Sequence, residues 1–195
     1  VQEFDVTEAL VAGENVIAVR VHQWSAASYL EDQDQWWLPG IFRDVTLLAR
    51  PAGGIEDVDV LADLDERTGT GTHTLGLVAS DAAFPVTVRI PELGVEQTWA
   101  TRDDVLPLDA GAVQAWSPDH PYLYELLVSS AAETRSTRIG FRTVRIVGDR
   151  LLVNGRQVRF SGVNRHETHP DRGRVFDEEH ARADLALMKR HNVNA

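Results

Sequence analysis

Residues 142–163 read RTVRIVGDRLLVNGRQVRFSGV, and the polar run NRHETHPDRGR (164–174) follows at once. Two turn signals divide the first part, Gly148-Asp149 and Asn154-Gly155, and the Asn-Gly pair is the strongest short hairpin signal. A strand is expected to end at Val163, with the polar run as the loop after it. Asp177 then caps a predicted helix, with Glu178 and Glu179 in the first turn, where the macrodipole favours negative charge. Ala181, Leu185 and Met188 share one face at helical spacing. Lys189, Arg190 and His191 fall in the last turn, and Val193 starts a further strand. The order strand, loop, helix, strand onset over 158–195 is the first βα unit of a parallel α/β domain.

Upstream, the pattern is all β. Short runs at 55–61, 72–80, 84–90, 94–99, 122–129 and 135–141 are parted by Gly69 and Gly71, Asp81, Pro91 and Gly94, and Ser117-Pro118-Asp119. Such spacing predicts an immunoglobulin-like sandwich over 51–141, entered through the linker-like PAGG at 51–54. Its histidines, His73 and His120, stand apart from other candidate groups and read as scaffold. Before it, ENVIAVRVHQW (14–24) and RDVTLLAR (43–50) alternate like half-buried strands. The stretch between them has no periodicity, which makes it a functional-loop candidate.

Composition narrows the class. The chain has 195 residues, 43% hydrophobic and 25% charged, which excludes disorder, and no apolar run is long enough to span a membrane. Net charge is −11, from 30 acidic and 19 basic residues, which argues against a nucleic-acid partner. Cysteine is absent, so there is no disulfide and no thiolate chemistry, in keeping with an expected cytoplasmic location. The chain opens at Val1 and closes at Ala195 soon after the predicted helix, as an internal segment of a longer protein would.

Two clusters could carry chemistry. Asn164 to His169 follow a strand end, where βα loops converge on ligands in parallel α/β folds and barrels. His166 and His169 could pair on a metal, but the metalloprotease pattern needs the second histidine one residue later, and Pro170 follows it. Hydrogen bonding to a substrate is the favoured reading, over a metal pair or a merely solvated loop. In the other cluster, Glu31-Asp32-Gln33-Asp34 lies among Trp24, Tyr29, Trp36 and Trp37. Rings beside carboxylates suit sugars, whose C–H faces pack on aromatics while their hydroxyls need acceptors. Burial of the loop against a neighbouring domain would account for the same rings. No P-loop, GxGxxG or G-x-S-x-G occurs.

These stretches carry a family resemblance. SYLEDQDQWWLPGIFRDV (28–45) resembles the end of the sugar-binding domain of the β-galactosidases of glycoside hydrolase family 2. IGFRTVRI (139–146) with LLVNGRQVRFSGVNRHETHP (151–170) resembles the junction of that family's immunoglobulin-like domain with its barrel, while WSPDHPYLY (116–124) and LMKRHNVNA (187–195) match neighbouring runs. The resemblance implies a mainly β chain: the end of a jelly-roll sugar-binding domain (1–50), a β-sandwich (51–141) and the start of a (β/α)8 TIM barrel (142–195). It implies retaining hydrolysis of terminal β-galactosides by two glutamates on later barrel strands, so the chain alone is expected to be inactive. Another β-glycosidase of the family, a β-glucuronidase or β-mannosidase, is the alternative, as is a non-catalytic carbohydrate-binding or spacer module. By the same resemblance His166 hydrogen-bonds the galactosyl ring, and Asp34 meets galactose hydroxyls and a sodium ion. The ligands of the active-site magnesium fall outside the chain. Ala26 and Ala27 replace the acidic residue expected near a peripheral magnesium site. Family members often assemble as homo-oligomers, and no membrane partner is implied.

Overall fold

Alternation along residues 55–139 becomes seven strands in two antiparallel sheets. In the computed structural model, which describes residues 3–30 and 40–195, these are β1 (Ile55–Asp65), β2 (Thr70–Ala79), β3 (Val86–Ile90), β4 (Val95–Trp99), β5 (Leu108–Ala112), β6 (Tyr124–Ser129) and β7 (Thr134–Ile139). One sheet has the order β1-β2-β5, the other β4-β3-β6-β7. Inward positions recur at every second residue. Val86, Val88 and Ile90 on β3, and Tyr124, Leu126 and Val128 on β6, meet Ile55, Leu75, Ala79, Ala110 and Phe141 in one core. Burying a Val or Leu side chain contributes about 1.5–3 kcal/mol, so this core carries the unit's stability.

The six runs expected in 51–141 all become strands. β5 was not legible, because Asp109, Ala110 and Gly111 have low strand propensity. Pairing with β2, through a register shift between Gly71 and Thr72, decides it instead. Gly71 is required for a second reason: a Cβ there would lie 2.7 Å from the Phe141 ring. β1 is an edge strand, and Asp57, Asp59, Asp63 and Asp65 stand exposed along it, charges that discourage pairing with another chain.

After the sandwich come β8 (Val144–Val147), β9 (Arg150–Val153) and β10 (Arg156–Gln157), a small antiparallel sheet whose turns are the two read from sequence. Asn154 (φ 49°) and Gly155 (φ 70°) occupy the left-handed region that their turn demands. Asn154 also ties this sheet to the sandwich. Its Oδ1 accepts the Thr143 N–H (3.0 Å), its Nδ2 donates to the Trp116 carbonyl (2.9 Å), and its own N–H donates to the Thr143 carbonyl (3.1 Å).

Residues 14–24 and 43–50 do not form strands, contrary to expectation. Ile17, Val19, Val21, Val45 and Leu47 are all exposed. Alternation shows which face a strand would bury, but a strand exists only where a neighbour takes up its main-chain groups, and among the described residues none does. The strand expected to end at Val163 and its partner at Val193 are likewise not formed as ladders. The two segments nonetheless run side by side in the same direction: the Asn194 N–H donates to the Ser161 carbonyl (2.9 Å), and that of Val163 to the Ala195 carbonyl (3.1 Å).

The described residues divide into two compact units, one comprising 1–46 with 166–182, the other 47–165 with 183–195. The predicted helix is α1 (Glu178–Arg190). It ends in a Schellman turn: Asn192 (φ 60°) is left-handed, and the Val193 N–H reaches back to the Met188 carbonyl at 3.0 Å. Its sheltered face is Ala181, Asp184 and Met188. Leu185, expected on that face, is 59% exposed. No helix among the described residues is long and apolar enough to cross a membrane.

Candidate functional site

The loop from His166 to Phe176 is built by short-range bonds. The Thr168 N–H donates to the His166 carbonyl (3.0 Å), turning the chain just past the histidine. His169 and Gly173 then exchange two main-chain bonds, of 2.6 and 2.9 Å, around Pro170-Asp171-Arg172. The His169 ring is fixed inside this turn. Its Nδ1 accepts the Asp171 N–H at 3.1 Å, and its centroid lies 4.9 Å from that of His180. At the loop's end Asp177 caps α1 as the sequence suggested, its Oδ1 accepting the His180 N–H (2.9 Å), while Oδ2 pairs with Arg172.

The residue before His166 is anchored separately. Arg165 donates from Nε (3.0 Å) and Nη2 (2.9 Å) to Oδ2 of Asp184 on α1, and both side chains are largely sheltered. His166 itself is exposed. In the sequence it stands between the anchored Arg165 and the turn closed by the Thr168 N–H.

Beside it, the Glu167 carboxylate pairs with Arg43 at 2.6 Å. The Arg43 guanidinium lies 5.7 Å from the Phe42 ring and 5.5 Å from that of Phe176, and Arg174 sits over Phe42 at 4.2 Å. Neither Arg43 nor Arg165 was singled out by sequence. Their partners are 124 and 19 residues away, and no local pattern marks them.

Asp34, Trp36 and Trp37 lie outside the described residues. Trp24 and Tyr29 are exposed, beside a turn in which the Ser25 N–H donates to Ser28 Oγ at 2.7 Å. Among the described residues no three His, Asp or Glu side chains converge on a common point. The His169 nitrogen already engaged by Asp171 also does not favour a His166–His169 metal pair.

The described residues thus hold a β-sandwich followed by a small three-stranded antiparallel sheet and the helix α1. Comparison with known families gives three matches in chain order: the sugar-binding domain of glycosyl hydrolases family 2 at residues 1–51, the glycosyl hydrolases family 2 domain at 54–142, and that family's TIM barrel domain at 144–195. The chain belongs to glycosyl hydrolases family 2. It is 65% identical over 194 residues to a β-galactosidase of Arthrobacter sp. (strain B7), covering 100% of this chain and 19% of that protein. It is 39% identical to a β-galactosidase of Vibrio vulnificus (strain CMCP6), covering 99% of this chain and 21% of that one. The chain thus spans about a fifth of the length of the curated relatives it matches. Among solved structures it resembles the β-glucuronidase of Ruminococcus gnavus in complex with D-glucaro-d-lactam, with a TM-score of 0.63 and 26% identity over 72% of this chain and 25% of that one.

Proposed function

We propose that the chain is part of a retaining β-galactosidase that hydrolyses terminal β-galactosides, and that it supplies sugar-binding groups rather than the catalytic carboxylates. The observation that carries the reading is the match, in order, to three domains of one glycosidase family, with 65% identity to a β-galactosidase. The likeness to a β-glucuronidase structure favours the same chemistry on a different sugar, at the much lower identity of 26%.

In this reading the division at residues 50 and 141 separates a sugar-binding domain, a sandwich spacer and the barrel. His166 binds the galactosyl ring. A neutral imidazole donates one hydrogen bond to a sugar hydroxyl and accepts another. That bond tightens as the ring flattens towards an oxocarbenium-like transition state, so the histidine acts on turnover more than on ground-state binding. Asp34 is assigned galactose hydroxyls and a sodium ion, since a hard cation and hydroxyls both seek anionic oxygen. Asp34→Asn is expected to raise KM and blunt the sodium response. Unchanged kinetics across a sodium titration would return Asp34 to the solvated acids.

The test of the reading is a substrate panel on the full-length protein carrying this segment. Turnover of a chromogenic β-galactoside well above the matching β-glucuronide and β-mannoside is expected. Preference for either of the other two would overturn the galactoside assignment, and no turnover of any would favour a binding or spacer module.

A further inference from the structure

We propose that Arg43 and Glu167 form a positioning clamp for the sugar site, a role that rests on the functional reading above. One partner adjoins a residue assigned to the sugar, and the other follows a second such residue along the chain. Glu167 follows His166 directly, and Arg43 lies on the same segment as Asp34. Their 2.6 Å ion pair therefore fastens the chain at Arg43 to the loop that begins at His166.

An exposed ion pair alone contributes little, and these side chains are 48% and 43% exposed. Here the pair is embedded in a larger cluster. The Arg43 guanidinium lies within 5.7 Å of the Phe42 and Phe176 ring centroids, while Arg174 lies 4.2 Å over Phe42. Cation–ring contacts add attraction to the pair that the compact, strongly hydrated ammonium of a lysine would not fully reproduce. Phe176 immediately precedes the cap Asp177, so the cluster holds the loop at its far end as well as at Glu167. The Glu167 carboxylate is thereby turned to Arg43, which gives it a positioning role in place of acid–base chemistry. Misplacing a binding group by about 1 Å can cost on the order of 10²-fold in rate, so such a clamp bears directly on turnover.

The test uses the full-length protein, with Arg43→Glu, Glu167→Arg, the two combined, and Arg43→Lys. Each charge reversal should lower kcat/KM for a β-galactoside by roughly ten- to a hundredfold and speed hydrogen exchange of the 166–173 amides, with Tm close to that of the parent. The combined swap should recover much of both losses. Arg43→Lys should fall between, because it keeps the charge and loses the stacking. Single reversals with parental kcat/KM and exchange would overturn the clamp, as would a combined swap no better than the worse single. If a reversal fails to fold, Arg43→Lys and the swap still decide. If the parent turns over no β-galactoside, the functional reading fails, and exchange alone then decides whether the clamp exists.

Discussion

His73 is fully buried, in line with Gly71 and Leu75 on the inward face of β2, and neither of its ring nitrogens has a hydrogen-bond partner among the described residues. Burial holds its pKa below the ordinary 6.5, since a charged imidazole would lose its hydration. The folded state then binds fewer protons than the unfolded state below that value. The fold therefore suffers no protonation penalty from His73 above about pH 6.5 and loses stability as pH falls through the window beneath it. His73→Leu should remove this part of the acid sensitivity and raise stability at pH 7 by about 1 kcal/mol, since two unpaired polar atoms leave the core. Urea melts at pH 7.5 and 5.5 check it: a parent and variant with equal pH dependence would contradict the assignment. Glu133 acts in a lower window. Its Oε1 accepts the Ile55 N–H at 2.6 Å, and chiefly this bond lowers its pKa from the usual 4.5. The stabilisation is present above 4.5 and lost as pH falls further, so Glu133→Gln should flatten the melts only below that point. The scaffold reading of His73 came from its distance in sequence from other candidate groups, and its inward place on β2 agrees with it. Its lack of partners was not legible, because that depends on what the opposite sheet presents.

Local chemistry made the turns and caps readable, and their energetic weight can be tested. Asp177 both caps α1 and pairs with Arg172, so Asp177→Ala should cost about 1–2 kcal/mol. The loss should appear as faster exchange in the first turn of α1, and an unchanged exchange pattern would mean the cap carries nothing. Asn154 makes three hydrogen bonds to Trp116 and Thr143 while holding a left-handed backbone. Asn154→Ala should cost about 2 kcal/mol or more, whereas Asn154→Asp should keep the Thr143 bonds and part of that stability. Where pairing partners are remote, the sequence was mute. Residues 14–24 carry the right alternation and find no partner among the described residues. The α1 face turned out to be Ala181, Asp184 and Met188, because the Arg165 pair draws Asp184 inward and leaves Leu185 exposed. Of the candidate site, His166 was named from its place after an expected strand, and that strand is not formed as a ladder. Arg43 and Arg165 were not named, since nothing in their own neighbourhoods announces Glu167 or Asp184.

At the scale of the whole chain, every buried apolar side chain among the described residues except Ala181 lies between Ile55 and Phe141. Stability should be distributed accordingly. In the 195-residue chain, amides of β3 and β6 should exchange slowest and those of α1 much faster; equal protection would contradict this distribution. The same chain should hydrolyse no β-galactoside, because the family resemblance places the carboxylate pair on later strands. The account as a whole turns on whether His166 faces the reacting sugar. Its most direct test is kcat of the full-length protein and its His166→Ala variant on one β-galactoside, with Tm measured on the same preparations. The account predicts a fall in kcat on the order of 10²–10³, as for other preorganised donors, with Tm nearly unchanged. A normal kcat per folded molecule, with or without a lowered Tm, would contradict it.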